Sequence, residues 1–125
     1  GVFHDGDTQP FCWASSLWQV IAPFDVALVV HSSWRHAMEL DAIRKAFPIE
    51  MQPYIADASV GSDPFESILN YVSRHHVSAF IVLDDCWERF PASWMDAGIL
   101  LPCRTGSGVS DPDIRERIRR FLAAP

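Results

Sequence analysis

A chain of 125 residues with 49% hydrophobic and 12% aromatic residues is long and apolar enough for one packed core, which excludes a disordered tail. Sixteen acidic against ten basic residues leave a net charge of -6, and the one basic cluster, Arg115, Arg117, Arg119 and Arg120, is interleaved with Glu116; this argues against a broad basic face for nonspecific nucleic-acid binding and leaves a solvated helix face or a local partner contact. Three cysteines, Cys12, Cys86 and Cys103, odd in number and without CxxC spacing, give neither a disulfide framework nor a zinc pattern, and the apolar runs are too short to span a bilayer, so a soluble, cytoplasmic protein is expected.

The chain opens with GVFHD, which reads like the turn leaving a buried strand although no strand precedes it. His4, Asp5 and Asp7 in the following HDGD stretch read as a polar loop in preference to a metal cluster. FCWASSLWQVIAPF places Leu17, Val20 and Ile21 on a helical stripe that stops before Pro23. VALVV at 26–30 lacks polar alternation and reads as a strand buried on both faces.

WRHAMELDAIRKAFP carries Leu40, Ile43 and Phe47 at helical spacing and ends before Pro48, whereas 48–62 shows no legible period. DPFESILNYVSRHH is the clearest helix, with Asp63 as N-cap, Pro64 at the first position, Glu66 in a capping box, and Phe65, Ile68, Leu69 and Val72 on one stripe. His75 and His76 close it, where they complement the helix dipole.

AFIVL at 79–83 and GILLP at 98–102 are two more buried strands, separated by CWERFPASWMDA, an irregular loop or short helix. SDPDIRERIRRFLAA ends the chain as a helix with Ser110 as cap and Ile114, Ile118, Phe121 and Leu122 inward. The five tryptophans lack the basic interleaving of a base-stacking platform and read as core and rim packing. Alternating strands and helices without a linker or repeat predict a single α/β domain over 1–125 with a mostly parallel sheet.

Ligands of open α/β sheets collect at the carboxyl ends of the strands, and two exits carry suitable chemistry. After VALVV comes HSSWR, with the hydroxyls of Ser32 and Ser33 and the guanidinium of Arg35, groups that hold a phosphate by hydrogen bonds and charge. After FIVL come Asp84 and Asp85, and adjacent carboxylates suit Mg²⁺, which takes oxygen ligands and keeps waters for a phosphate to displace. The same residues also serve as turn and helix caps, so that reading stands beside the functional one.

The order GVFHD, VALVVHSSWR, FIVLDDCWERFP and LLPCRTGSGVSD before a last helix resembles the haloacid dehalogenase-like (HAD) superfamily, in particular the small HAD domains of Swiss army knife RNA repair proteins. The resemblance covers nearly the whole chain and implies a Rossmann-like three-layer sandwich whose first strand, ending in Asp-x-Asp, would lie just ahead of Gly1. It implies a Mg²⁺-dependent phosphohydrolase in which the first Asp of that motif attacks the phosphoryl group and the second serves as general acid and base. By position, Ser32 matches the hydroxyl residue that binds the phosphoryl group and Asp84, with Asp85, the Mg²⁺-binding acids; Ser33 and Arg35 are neighbours.

The chain as given would then be inactive, its nucleophile lying upstream, and its ligand would be a phosphorylated small molecule or phosphate ester. The family's charge-balancing Lys or Arg has no clear counterpart: ASVGSDPFESILNYVSRHH holds no lysine, and Arg74 sits at the far end of its helix. Either Arg35 substitutes, or the domain is a noncatalytic binding or regulatory relative.

Overall fold

The protein is described by a computed structural model over residues 14–31, 39–61, 63–85, 87–103 and 108–124. It is a mixed helix and strand fold with small parallel sheets, and it packs as two units, Gly1–Asp25 with Ile81–Pro125, and Val26–Phe80. Among the described residues no helix is long and apolar enough to cross a membrane.

In the Val26–Phe80 unit, β1 (Leu28–Val30) pairs in parallel with β2 (Ile55–Ala58). Their register sets Leu28 opposite Ile55, then Val29 opposite Asp57 and Val30 opposite Ala58, with an irregularity after Leu28. The predicted run 26–30 is thus trimmed at its start. Its partner enters the ladder only at Ile55, directly after the 3-10 turn Gln52–Tyr54. β2 lies within the stretch that has no legible period. IADA is a poor strand by propensity, and the backbone bonds of a neighbour rather than its own side chains make it one.

Helix α2 (Leu40–Lys45) is anchored to β2 by Arg44, whose Nε and Nη2 both donate to the Ile55 carbonyl at 3.1 and 2.8 Å while Nη1 pairs with Asp41 at 2.8 Å. Ile43, Phe47, Met51 and Ile55 make the buried cluster beneath it, each side chain worth about 1.5–3 kcal/mol of burial.

Helix α3 (Pro64–Arg74) starts as its sequence dictates: the Asp63 carboxylate accepts the Glu66 N–H at 2.8 Å, a cap worth about 1 kcal/mol. Its inward face differs from the predicted stripe. Ile68 is buried together with Pro64 and Ser67, but Leu69 is 40% exposed. Ser67 tolerates burial because its hydroxyl donates back to the Asp63 and Pro64 carbonyls at 2.8 and 3.1 Å, leaving no orphaned donor. At the far end His75 stacks on Tyr71 with ring centroids 4.2 Å apart, and His76 takes a left-handed φ of 52° that closes the helix. Both histidines therefore have the structural role their position suggests.

In the other unit, α1 (Ala14–Ile21) buries Ala14, Leu17 and Ile21 against α5 (Pro112–Ala123), which presents Ile114 and Ile118, and against Val109 of the turn Gly108–Ser110. β3 (Val82–Asp84) and β4 (Leu100–Pro102) pair in parallel, Val82 with Leu100 and Asp84 with Pro102. The segment between them resolves into a 3-10 turn, Trp87–Arg89, and the short helix α4 (Ala92–Asp96). α4 ends in a Schellman motif: the Ile99 and Gly98 N–H groups donate to the Trp94 and Met95 carbonyls at 2.9 and 3.1 Å, with Gly98 at φ 75°. That turn starts β4 at Leu100, and the pairing in turn shortens the predicted run 79–83 to a strand beginning at Val82.

The cap of α5 is one residue later than Ser110. Asp111 has the extended backbone of an N-cap and its carboxylate accepts the Asp113 N–H at 2.9 Å, while Ser110 belongs to the preceding 3-10 turn. Sequence spacing favours a cap three residues before an acid; here the Pro112 that follows makes Asp111 the last residue outside the helix.

Candidate functional site

β3 delivers Asp84 to its carboxyl end. The strand pairing continues past it, since the Asp84 carbonyl accepts the Cys103 N–H at 2.8 Å, so the backbone of Asp84 is held in the ladder. Asp84 is half-buried and Asp85, just beyond the strand, is exposed. The two carboxylates nonetheless interact: burial raises the Asp85 pKa, but hydrogen bonding, that with the Asp84 side chain among it, outweighs this and holds it below the ordinary carboxylate value.

Cys103 reports on the electrostatics of this strand end. Its side chain is 2% exposed, with Sγ 3.7 Å from the Leu101 carbonyl. Burial, and then the carboxylates of Asp84, Asp85 and Asp111, push the thiol up to about 12. Burial and three acids thus act on one sulfur, which holds Cys103 as a protonated thiol at neutral pH. Asp111 is the acid that sequence reasoning missed: with the cap placed at Ser110 it had no task of its own, and only folding brings the start of α5 near the end of β4.

This gives a pH prediction. The folded-state pKa lies above the ordinary value of 9, so in the interval from about 9 to 12 the unfolded chain loses the proton that the native chain keeps. The contribution is fully present below pH 9 and falls as pH rises toward 12. Urea unfolding of the protein and of Cys103→Ala at pH 8 and pH 10 is expected to show a steeper alkaline loss for the protein; equal slopes would mean the thiol is not held protonated.

The donor set at β3 suits a hard cation of the Mg²⁺ kind, which binds through one or two carboxylates and otherwise keeps water. Among the described residues no three His, Cys, Asp or Glu side chains form a metal-ligating group, so Asp84 and Asp85 would act as a pair and not as part of a cage.

At the other predicted exit, β1 ends at Val30, whose carbonyl accepts the Ser59 N–H at 2.8 Å, and His31 follows half-buried. Ser59 is itself buried, at the matching end of β2. Ser32, Ser33 and Arg35 lie outside the described residues, as do His4, Asp5 and Asp7. Arg74 is exposed in the last turn of α3.

No curated protein and no solved structure matches the chain. A family model described as the HAD domain in Swiss Army Knife RNA repair proteins matches residues 2–114, a span that takes in β1 through β4 and the carboxylates at the β3 exit. With small parallel sheets and intervening helices, and a family model matching 2–114, the chain belongs to the HAD domains of Swiss Army Knife RNA repair proteins.

Proposed function

We propose that the chain belongs to a Mg²⁺-dependent HAD-type phosphohydrolase domain, a single three-layer α/β domain in the cytoplasm, acting on a phosphorylated small molecule or other phosphate ester. The observation that carries this reading is the acidic carboxyl end of β3, where Asp84 and Asp85 leave a paired parallel strand beside the buried Cys103, their charge adding to burial in raising its thiol pKa. Asp84, with Asp85, would hold Mg²⁺, which when bound offsets charge on the phosphoryl oxygens. Ser32 would donate a hydrogen bond to the transferring phosphoryl group, with Ser33 and Arg35 beside it.

The attacking carboxylate is assigned to the first Asp of an Asp-x-Asp motif ahead of Gly1. It forms a bond to phosphorus as the ester oxygen leaves, and the second Asp of the motif gives that oxygen its proton. Water then cleaves the acyl-phosphate, with the same second Asp now accepting the proton, and releases inorganic phosphate.

The absence of lysine from 59–76, with Arg74 exposed at the distal end of α3, favours a second reading, a noncatalytic HAD module that binds a phosphorylated partner without turnover. Hydrolysis of an aryl phosphate separates the two. Protein carrying Asp-x-Asp before Gly1 is expected to hydrolyse it only with Mg²⁺, and inertness of folded, metal-bound protein across a broad ester panel would leave the binding module.

A further inference from the structure

The turn that follows the β3 exit carries a large side chain that the core does not use. Trp87 opens the 3-10 turn Trp87–Arg89 two residues beyond Asp85 and is 52% exposed, although an indole is among the largest apolar surfaces a chain can bury. Among the described residues it has no ring contact, and its indole N–H has no acceptor. The other described tryptophans, Trp18 and Trp94, are half-buried, and Trp94 is stacked on Phe90 with ring centroids 5.9 Å apart.

The backbone that carries this exposed ring is fixed. The Phe90 N–H donates to the Trp87 carbonyl at 3.2 Å, Phe90 is itself buried, and Pro91 follows as the N-cap of α4. An aromatic on a held turn has little freedom left to lose when it takes a ligand, and turns at the end of a sheet are where a rigid scaffold carries its binding residues. Two residues of chain span at most about 7 Å, so the backbone of Trp87 lies within that distance of Asp85, at the same carboxyl end of β3. A group attached to a phosphate at this exit is within reach of the indole.

Two ligand chemistries suit an indole face, a flat ring and a cation. Cations of the choline type are held in cages of several aromatic rings, and the rings nearest to Trp87 in the described chain, Phe90 and Trp94, are engaged with each other. A single free face suits a flat ring. We infer that Trp87 selects phosphate esters whose leaving group carries a planar ring, which stacks on the indole while the phosphoryl group sits at the Asp84–Asp85 exit. The inference rests on the phosphohydrolase reading of that strand end and adds to it the class of leaving group.

The test is calorimetric titration of protein carrying Asp-x-Asp before Gly1, first with Mg²⁺ and then with two phosphonates of matched size, benzylphosphonate with a flat ring and cyclohexylmethylphosphonate with a puckered one. The flat ring is expected to bind about threefold to tenfold more tightly. Trp87→Leu should abolish that preference and Trp87→Phe keep most of it, both with Mg²⁺ affinity and melting temperature unchanged, because an exposed side chain without protein partners supports neither the metal nor the core. Equal binding of the two phosphonates, a preference that survives in Trp87→Leu, or tighter binding of trimethylammonioethyl phosphonate than of benzylphosphonate would overturn the inference. With Mg²⁺ bound, those results leave the phosphohydrolase reading standing; folded protein that binds neither Mg²⁺ nor either phosphonate removes that reading and this inference together.

Discussion

Asp84→Asn, made in protein that carries Asp-x-Asp ahead of Gly1, is expected to weaken Mg²⁺ binding at least tenfold and to lower hydrolysis by about 10²–10³-fold, the usual scale for removing one preorganised charge-stabilising group. The fold should survive. The backbone of Asp84 is held by its carbonyl bond to the Cys103 N–H and by pairing with Pro102, neither of which uses the carboxylate. Losing one of the charges that act on Cys103 should also ease the thiol downward, an independent sign that the substitution reached the intended place. Calorimetric Mg²⁺ titration measures the first effect and thiol titration the last. Asp5→Asn is the control and is expected to change neither metal affinity nor hydrolysis, so equal effects at both positions would mean the cation site is wrongly placed.

Leu100→Ala should cost about 2–5 kcal/mol, a large share of the roughly 5–15 kcal/mol that holds a domain of this size together. Leu100 has no exposed surface, sits opposite Val82 at the start of β4, and is adjoined by Leu101 at 2% exposure, so the truncated side chain leaves a cavity that rigid strand pairing cannot close. Leu69→Ala is the informative contrast. Helical periodicity places Leu69 on the core stripe of α3, but at 40% exposure its loss should cost less than about 1 kcal/mol. Equilibrium denaturation of both variants reads the difference directly, and similar losses would show that Leu69 is covered.

The two expectations illustrate what kind of information each level carries. Features encoded by a residue's own stereochemistry were legible from the chain alone. Asp63 caps α3 because a short acceptor next to a proline has a local task, and Pro23 ends the helix at 14–21 because a proline cannot continue one. The three apolar runs do contain strands, but burial on both faces holds only for Leu100 and Leu101 of β4; β1 is half-buried throughout and β3 is buried only at Val82. That Asp84 and Asp85 stand at a strand end was legible in the same way, as polar residues closing such a run.

What the tertiary structure decided depends on partners that no local window contains. β2 exists because β1 supplies hydrogen bonds to IADA, and each strand begins where its neighbour begins, which is why AFIVL becomes a strand only from Val82. Ser67 rather than Leu69 is buried on α3 because a helix face is selected by what packs on it, and the hydroxyl can satisfy itself on the preceding turn. The protonated Cys103 thiol belongs to the same class. Asp111 is 26 residues or more from Asp84 and Asp85 in sequence, and their shared field arises only when β3, β4 and the start of α5 are packed together, since charge acts through space and not along the chain.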